Sequence, residues 1–156
     1  MLKVFRSTFA IFALLSLSLA AQTEAKSSVK PATAQQKSLY QRLGGYDALA
    51  AVTDDFIGRM AGDKQLGRFF VGLSNDSKTK VRNHVVDFLC VGTGGPCKYT
   101  GRDMVTVHTG LGITDSDWDV AVKHLVATLD KFKVPEKEKS EVLGVVGPLK
   151  KDIVGK

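Results

Sequence analysis

Apolar side chains recur every three or four positions from Ser38 onward, and this spacing constrains the fold more than any other feature of the sequence. Such a period places the side chains on one face of an α-helix. The sequence shows no sustained alternation of apolar and polar residues between Asn-Gly or Asp-Gly turns, which is the pattern of a β-hairpin. We therefore expect an all-α domain.

Start and stop signals divide this region into helical segments. In chain order they are the capping-box pair Ser38 with Gln41, the stop at Gly44-Gly45, the breaker run at 92–96, the capping pair Thr114 with Asp117, and the two prolines Pro135 and Pro148. We expect Pro135 in the first turn of the last helix and expect Pro148 to bend or end that helix. A segment beginning near Arg102 should carry Met104, Val107, His108 and Leu111. In the second helix, Asp54, Asp55 and Arg59 should turn away from the apolar face.

The first 25 residues have the order of a secretory signal peptide. Lys3 and Arg6 precede an apolar run from Thr8 to Ala21, which is short for a membrane span. Cleavage could follow Ala20 or Ala25, and an uncleaved anchor helix is the alternative. We expect cleavage, and with it export to the periplasm or the cell exterior.

A polar segment at 26–37 follows the predicted signal peptide. It contains Pro31 and shows no apolar period, so we expect a flexible leader before a domain at 38–156. Because no longer apolar stretch follows, we expect no stable membrane insertion of the mature chain.

The net charge of +6 comes from 22 basic and 16 acidic side chains. Removing residues 1–25 takes away two basic side chains and one acidic one, which leaves 20 against 15, or +5. The charges of both signs are interleaved, as at 133–139, and this is typical of a solvated helix face with ion pairs. We therefore expect no nucleic-acid partner.

Three histidines, His84, His108 and His124, are the candidate metal ligands. His-x-x-x-His and Cys-x-x-Cys spacings are missing, which argues against zinc, and without Cys-x-x-Cys-His a thioether-attached haem is excluded. His84 and His108 fall on apolar helix faces. The residues alone favour hydrogen-bonded core histidines there, and they place His124 at the surface or between helices.

The two cysteines, Cys90 and Cys97, flank the breaker run. A chain reversal there could bring them together, and exported cysteine pairs usually oxidise. We predict a Cys90–Cys97 disulfide, with two separate buried thiols as the alternative.

Several motifs together carry a resemblance. They are Leu39-Tyr40 through Leu43-Gly44-Gly45, Asp55-Phe56, Phe69-Phe70, Gly94-Gly95-Pro96 with Tyr99-Thr100-Gly101, and the run from Met104 to Thr114 that contains His108. With these motifs, the stretch from Ser38 to Ile153 resembles a truncated haemoglobin, the two-over-two helical globin that encloses haem, and resembles group I of that family most.

The resemblance implies a non-covalent haem b with His108 as the proximal ligand of the iron. It also implies that the following residues surround the haem: Phe56, Ile57, Phe70, Val81, Val85, Phe88, Tyr99, Met104, Val107 and Ile113. Arg82, Arg102 and Lys98 are candidate partners of the haem propionates, and solvated surface charge is the equal alternative for all three.

The departures from the family bear on mechanism. The family commonly has a distal tyrosine and glutamines that donate hydrogen bonds to bound oxygen, and here those positions hold Ile57, Val81 and Val85. His84 falls where some cyanobacterial members place a histidine that binds the iron as sixth ligand. We therefore expect a hexacoordinate iron with His108 proximal and His84 distal. The alternative is that His84 turns to solvent or to a propionate.

Three functional classes remain open. The resemblance favours reversible binding of oxygen, nitric oxide or carbon monoxide, for storage, transport or sensing. The second class is a haem redox protein or enzyme, acting as a nitric oxide dioxygenase, in nitrite reduction or in electron transfer. It would need an external electron donor, because the sequence has no flavin or nicotinamide fingerprint. A haem-free basic helical module is the third. We assign no catalytic side chain and expect a monomer.

Overall fold

The computed structural model describes residues 36–156. The predicted signal peptide and residues 26–35 of the predicted leader lie outside the described residues. Gln36 and Lys37, the part of the leader that is described, are exposed and non-helical.

Seven α-helices and two short 3₁₀ turns make up this region. The helices are α1 (Leu39–Leu43), α2 (Gly45–Gly62), α3 (Asn75–Gly92), α4 (Met104–His108), α5 (Asp115–Lys131), α6 (Glu136–Val146) and α7 (Lys150–Ile153). The 3₁₀ turns span Gly67–Phe70 and Gly147–Leu149. No residue in 36–156 belongs to a β-strand, so the prediction of an all-α domain is confirmed.

The predicted caps form at both capping pairs. The Ser38 hydroxyl accepts from the Gln41 amide at 3.3 Å, and the Gln41 side chain accepts from the Ser38 amide at 3.1 Å. Thr114 and Asp117 form the same reciprocal pair at the start of α5. Gly44 ends α1 with a φ of +101°, which a residue without Cβ adopts at little cost. These bonds satisfy amide groups that a helix end otherwise leaves unpaired.

Two helix ends differ from the predictions. Pro135 is the residue just before α6 and not part of its first turn. Pro148 lies in the 3₁₀ turn that separates α6 from α7, so the prediction that it would bend or end the helix is confirmed. Helix α4 ends at His108 after five residues, so Leu111 lies beyond it and is 45% exposed. A positive φ at Gly110 turns the chain away directly after the helix.

The core lies where α2 packs against α3 and α5. One apolar cluster joins α1, α2, α5 and α6, and it consists of Leu39, Val52, Leu125, Leu129 and Val142. A second cluster joins α2 to α3, and it consists of Leu49, Val86, Leu89 and Cys90. Because α2 contributes to both clusters, its position fixes α3 relative to α5.

Asp55 corrects one expectation about α2. Its carboxylate does not turn away from the neighbouring helices. It accepts from the fully buried Thr128 hydroxyl of α5 at 2.9 Å and from Arg59 at 2.6 Å, and it contacts Lys131. These three bonds hold the pKa of Asp55 far below its ordinary value, because they favour the charged form. A buried hydroxyl on α5 needs an acceptor, and Asp55 supplies it.

Helix α4 packs against α7. The loop after α4 is joined to the residues that follow α7, because the Gly110 amide donates to the Lys156 carbonyl at 3.1 Å and the Gly155 amide donates to the Ile113 carbonyl at 2.9 Å. Across residues 36–156, none of the helices combines the length and the apolar character that crossing a membrane requires.

Candidate functional site

His108 is the last residue of α4, and its ring is held by its own helix. The Nδ1 atom lies 2.8 Å from the backbone carbonyl oxygen of Met104, one turn earlier. A carbonyl only accepts, so Nδ1 carries the proton and donates. In the neutral ring the lone pair is then on Nε2, which is the state that binds a metal ion.

The start of α4 is fixed by Asp103. Its carboxylate accepts from the Thr106 amide at 2.9 Å and from the Thr106 hydroxyl at 2.6 Å. These bonds keep the pKa of Asp103 below its ordinary value. A helix of five residues has little stability of its own, so this cap and the packing against α7 hold His108 in place.

His84 lies on α3 and is half-buried. Its Nδ1 atom is buried and makes no hydrogen bond within residues 36–156. The imidazole meets the Tyr99 ring edge to face, with ring centroids 6.0 Å apart and planes at 71°. Phe88 lies one helical turn after His84 on α3. Its ring also meets the Tyr99 ring edge to face, with centroids 5.7 Å apart and planes at 81°. The structure therefore brings His84, Phe88 and Tyr99 together.

Tyr99 is itself anchored. Its hydroxyl donates to the Arg102 carbonyl at 2.7 Å. Burial, with a smaller contribution from the nearby Asp103 carboxylate, raises the pKa of Tyr99. The phenol is therefore neutral at physiological pH and acts as a donor.

A disulfide joins Cys90, near the end of α3, to Cys97, with Cα atoms 5.8 Å apart. The predicted pairing is confirmed. Gly95 lies in the loop that the disulfide closes, where there is no room for a side chain. A Cβ at this position would lie 2.6 Å from Cys90 Sγ and 2.6 Å from Tyr40 Cδ2. The end of α3 and the segment leading to Tyr99 are thus covalently connected.

The other side chains implied to surround the haem fall into three groups. Phe56 and Val85 pack against the two core clusters. Half-buried positions are taken by Ile57 on α2, Phe70 in the first 3₁₀ turn, Met104 and Val107 on α4, and Ile113 in the loop after α4. Val81 on α3 is 39% exposed. The contribution of these side chains to a haem pocket stays a prediction.

The candidate propionate partners differ in their contacts. Arg82 is engaged with Asp54 of α2, with Nε to Oδ1 at 2.8 Å and Nη2 to Oδ2 at 3.0 Å. This pair raises the pKa of Arg82 and lowers that of Asp54. Lys98 and Arg102 are exposed residues in the loop between α3 and α4. Arg82 would therefore have to give up its ion pair with Asp54 in order to bind a propionate. Lys98 and Arg102 could bind a propionate without giving up such a pair.

His124 lies between helices, as predicted. Its Nε2 atom is 3.0 Å from the carboxylate of Asp63, which follows α2 directly. Hydrogen bonds from the backbone of Leu66, from His124 and from the backbone of Gln65 lower the pKa of Asp63. The structural role of this contact leaves His84 and His108 as the candidate ligands.

Three contacts of the site were not anticipated from the sequence. They are the carbonyl partner of His108, the edge-to-face contact of Tyr99 with His84, and the Asp54–Arg82 pair. Only the first has a sequence signal, because a histidine four positions after another helical residue can reach its carbonyl. The other two depend on how separate segments meet.

The donor set fits an iron porphyrin. No group of three or more His, Cys, Asp or Glu side chains within 36–156 could hold a bare metal ion. His108 offers a fixed Nε2 lone pair, and His84 has a buried ring nitrogen without a partner. These two imidazoles would supply nitrogen ligands to an iron whose other ligands come from a macrocycle.

A comparison with protein families decides the assignment. The model of the family described as "Bacterial-like globin" matches residues 38–154. The chain belongs to the bacterial-like globin family. This membership implies haem binding and the binding of small gaseous ligands.

Known relatives of this bacterial-like globin are named as truncated haemoglobins. It is 37% identical to the group 1 truncated hemoglobin GlbN of Mycolicibacterium paratuberculosis over 120 residues, which cover 77% of this chain and 86% of the relative. It is 34% identical to the group 1 truncated hemoglobin GlbN of a Synechocystis species over 114 residues, which cover 70% of this chain and 90% of the relative.

Solved structures of truncated hemoglobins confirm the two-over-two helical fold. The truncated hemoglobin of Tetrahymena pyriformis in the Fe(III) form superposes with a TM-score of 0.70 at 28% identity, covering 77% of this chain and all of the other. The 2/2 hemoglobin of a Synechococcus species, in the cyanomet state with covalently attached heme, gives a TM-score of 0.70 at 30% identity with the same coverage.

Proposed function

We propose that this globin binds haem with His108 as the proximal iron ligand and binds oxygen, nitric oxide or carbon monoxide reversibly on the opposite face. The observation that carries the proposal is the hydrogen bond from His108 Nδ1 to the Met104 carbonyl. This bond fixes the tautomer and the ring orientation, and such partners are the usual support of a metal-bound histidine.

We propose further that His84 binds the iron as the sixth ligand and leaves it when a gas molecule enters. The His84 ring supports this role because its Nδ1 atom makes no hydrogen bond within residues 36–156, so no such bond commits the imidazole to another orientation. A gas molecule would then compete with an imidazole of the same chain. Its apparent affinity would equal its intrinsic affinity multiplied by the fraction of the protein in which His84 is away from the iron.

The absorption spectrum of the ferric protein tests His84 directly. We expect a low-spin spectrum in the native protein and a high-spin, water-ligated spectrum in His84→Ala. His124→Ala is the matched control, because that histidine contacts Asp63. A high-spin native spectrum that His84→Ala leaves unchanged would refute the sixth-ligand role and leave the proximal role intact.

The haem is proposed to be non-covalent haem b. The residues support this because the described cysteines, Cys90 and Cys97, are both consumed in the disulfide. The Synechococcus relative shows that covalent attachment occurs among similar proteins. Extraction into acidified butanone should remove the pigment completely, and a protein mass that retains the haem would contradict the proposal.

Redox chemistry is the second candidate function, either oxidation of nitric oxide by bound oxygen, or reduction of nitrite, or electron transfer. The side chains that favour it are Ile57, Val81 and Val85, none of which donates a hydrogen bond that would hold oxygen. Such a protein would need an external electron donor. Rapid mixing of the oxygen-bound protein with nitric oxide, followed by nitrate analysis, distinguishes it: stoichiometric nitrate supports the enzyme, and simple ligand replacement supports reversible binding.

We also propose that the protein is exported as a monomer after cleavage of the first 25 residues. The order of charge, apolar run and polar sequence at 1–37 supports export. The mass of the mature protein and its distribution between cell fractions test it. A cytoplasmic protein that begins at Met1 would contradict it.

A further inference from the structure

The two candidate iron ligands differ in how their rings are oriented. His108 donates from Nδ1 to a backbone carbonyl, which fixes its plane. His84 has no such bond, because its Nδ1 atom is buried without a partner within the described part of the chain. The orientation of the His84 ring therefore depends on packing and not on a hydrogen bond at Nδ1.

Tyr99 provides that packing. Its ring lies against His84 at 6.0 Å and against Phe88 at 5.7 Å, both edge to face. His84 and Phe88 are four residues apart on α3 and therefore share one face of the helix. The phenol covers this face across a full turn, so the imidazole cannot swing toward Tyr99 without a clash.

The position of Tyr99 is fixed by three independent features. Its hydroxyl donates to the Arg102 carbonyl at 2.7 Å. Gly101 leaves room for the ring, because a Cβ there would lie 2.5 Å from Tyr99 Cζ and 2.8 Å from Cε2. The disulfide holds Cys97, two residues before Tyr99, against Cys90 of α3.

We propose that Tyr99 is a positioning residue for His84: it holds the imidazole in the orientation that reaches the iron and so sets the fraction of the protein in which His84 is the sixth ligand. The inference rests on the proposed role of His84. In this inference, the loop between α3 and α4 controls how readily His84 leaves the iron and so makes room for a gas molecule.

Two substitutions separate the contribution of the Tyr99 ring from that of its hydroxyl. Tyr99→Phe keeps both ring contacts and loses the bond to Arg102, whereas Tyr99→Leu removes the aromatic ring. An edge-to-face contact changes an equilibrium by roughly 2- to 13-fold. We expect the ratio of low-spin to high-spin ferric protein to fall by that factor in Tyr99→Leu and to stay near the native value in Tyr99→Phe.

Carbon monoxide binding to the ferrous protein gives a second measure. If His84 must leave first, the observed rate reaches a plateau at high carbon monoxide concentration. Tyr99→Leu should raise that plateau, or remove it, and Tyr99→Phe should not. A general loss of stability would not raise the plateau, so the readout is specific for the position of His84.

If Tyr99→Leu fails to fold, Gly101→Ala is the alternative variant for this test, because its Cβ would displace the Tyr99 ring without removing it. In the diamagnetic ferrous protein, the nuclear Overhauser effect between His84 and Tyr99 ring protons should be strong in the native chain and weak in Gly101→Ala. The His124 signals should stay unchanged.

The outcomes distinguish the two proposals. If His84→Ala abolishes the low-spin spectrum and Tyr99→Leu leaves it unchanged, Tyr99 does not position His84 and the sixth-ligand role stands. If His84→Ala changes nothing, the sixth-ligand role fails, and the inference about Tyr99 fails with it.

Discussion

The Nδ1 atom of His108 lies 2.8 Å from the backbone carbonyl oxygen of Met104, and both residues belong to the five-residue helix α4. The helix thus supplies the proposed ligand and also the group that orients it. No side chain from another segment is needed for this hydrogen bond, so the orientation of the ring is set within α4, whereas the position of α4 in the domain depends on its packing against α7.

Replacement of His108 should remove the haem. We expect His108→Gly to lower haem affinity by more than about tenfold, because loss of the ligand should exceed the 10- to 100-fold effect of losing only its supporting bond. Absorbance at the Soret maximum after gel filtration measures the retained haem. Added imidazole should restore binding, and His124→Gly should retain haem. Full retention in His108→Gly would contradict the proximal assignment.

A hydrogen-bond donor on the distal side should slow oxygen release. Ile57 is half-buried on α2, and Ile57→Tyr places a hydroxyl at a position where the family commonly has one. Hydrogen bonds to a charged group are worth about 1.5–3 kcal/mol, so we expect oxygen dissociation to slow by roughly 10- to 150-fold. Stopped-flow displacement of oxygen by carbon monoxide measures the rate, with Ile57→Phe as the control for ring size. Equal rates in the two variants would count against an apolar distal side.

Gly95 should tolerate no side chain. A Cβ at this position would lie 2.6 Å from Cys90 Sγ and 2.8 Å from the Cys90 carbonyl oxygen, both fixed by the disulfide. We expect Gly95→Ala to lower the free energy of unfolding by about 1–3 kcal/mol, the usual cost of overpacking. Gly58→Ala is the matched control: nothing lies within 4 Å of its Cβ, and it lies inside α2. Alanine there should stabilise by about 0.5–1 kcal/mol. Urea unfolding of both variants measures the contrast, and equal effects would contradict it.

Acid should destabilise the domain through Asp117. This side chain is 1% exposed, and burial raises its pKa. Bonds from the Thr114 amide, Gln65, the Thr114 hydroxyl and Arg68 lower the pKa further than burial raises it, leaving it far below the ordinary 3.8. A depressed native pKa stabilises the fold at pH values above the unfolded value, and this contribution is lost as pH falls through the native pKa.

The free energy of unfolding should therefore be insensitive to Asp117 between about pH 5 and 8 and should fall below about pH 4. We expect Asp117→Asn to cost about 2 kcal/mol at pH 7, because a charged acceptor is lost, and to flatten the dependence below pH 4. Asp119→Asn is the control on the same helix, since its carboxylate is 64% exposed and lies 3.9 Å from Lys150. Urea unfolding at several pH values measures both, and a parallel acid dependence in Asp117→Asn and the native chain would refute the role of Asp117.

The helices and the disulfide were predictable because their causes are local. Ser38 with Gln41 and Thr114 with Asp117 cap helices through bonds between residues three apart. Cys90 and Cys97 are separated by seven positions and a glycine-rich turn. The length of α4 was overestimated, because apolar spacing continues to Leu111 while Gly110 reverses the chain.

Contacts between distant segments were not predictable. Asp55 pairs with Thr128 of α5, and Arg82 pairs with Asp54 of α2. A charged residue beside an apolar stripe faces either solvent or the neighbouring helix, and helix spacing does not distinguish the two. The contact between Tyr99 and His84 likewise depends on the path of a loop, which has no periodic pattern.

The loop after His108 is closed by residues that are synthesised much later, since Gly110 pairs with Lys156 and Ile113 pairs with Gly155. A ribosome delivers the chain in order, so the segment that contains His108 emerges before α5, α6 and α7 have been made. A nascent chain therefore contains the α4 sequence before it contains α7, which packs against α4, and before it contains the residues that close the loop behind it. The surroundings of His108 described here are in that sense complete only after translation ends.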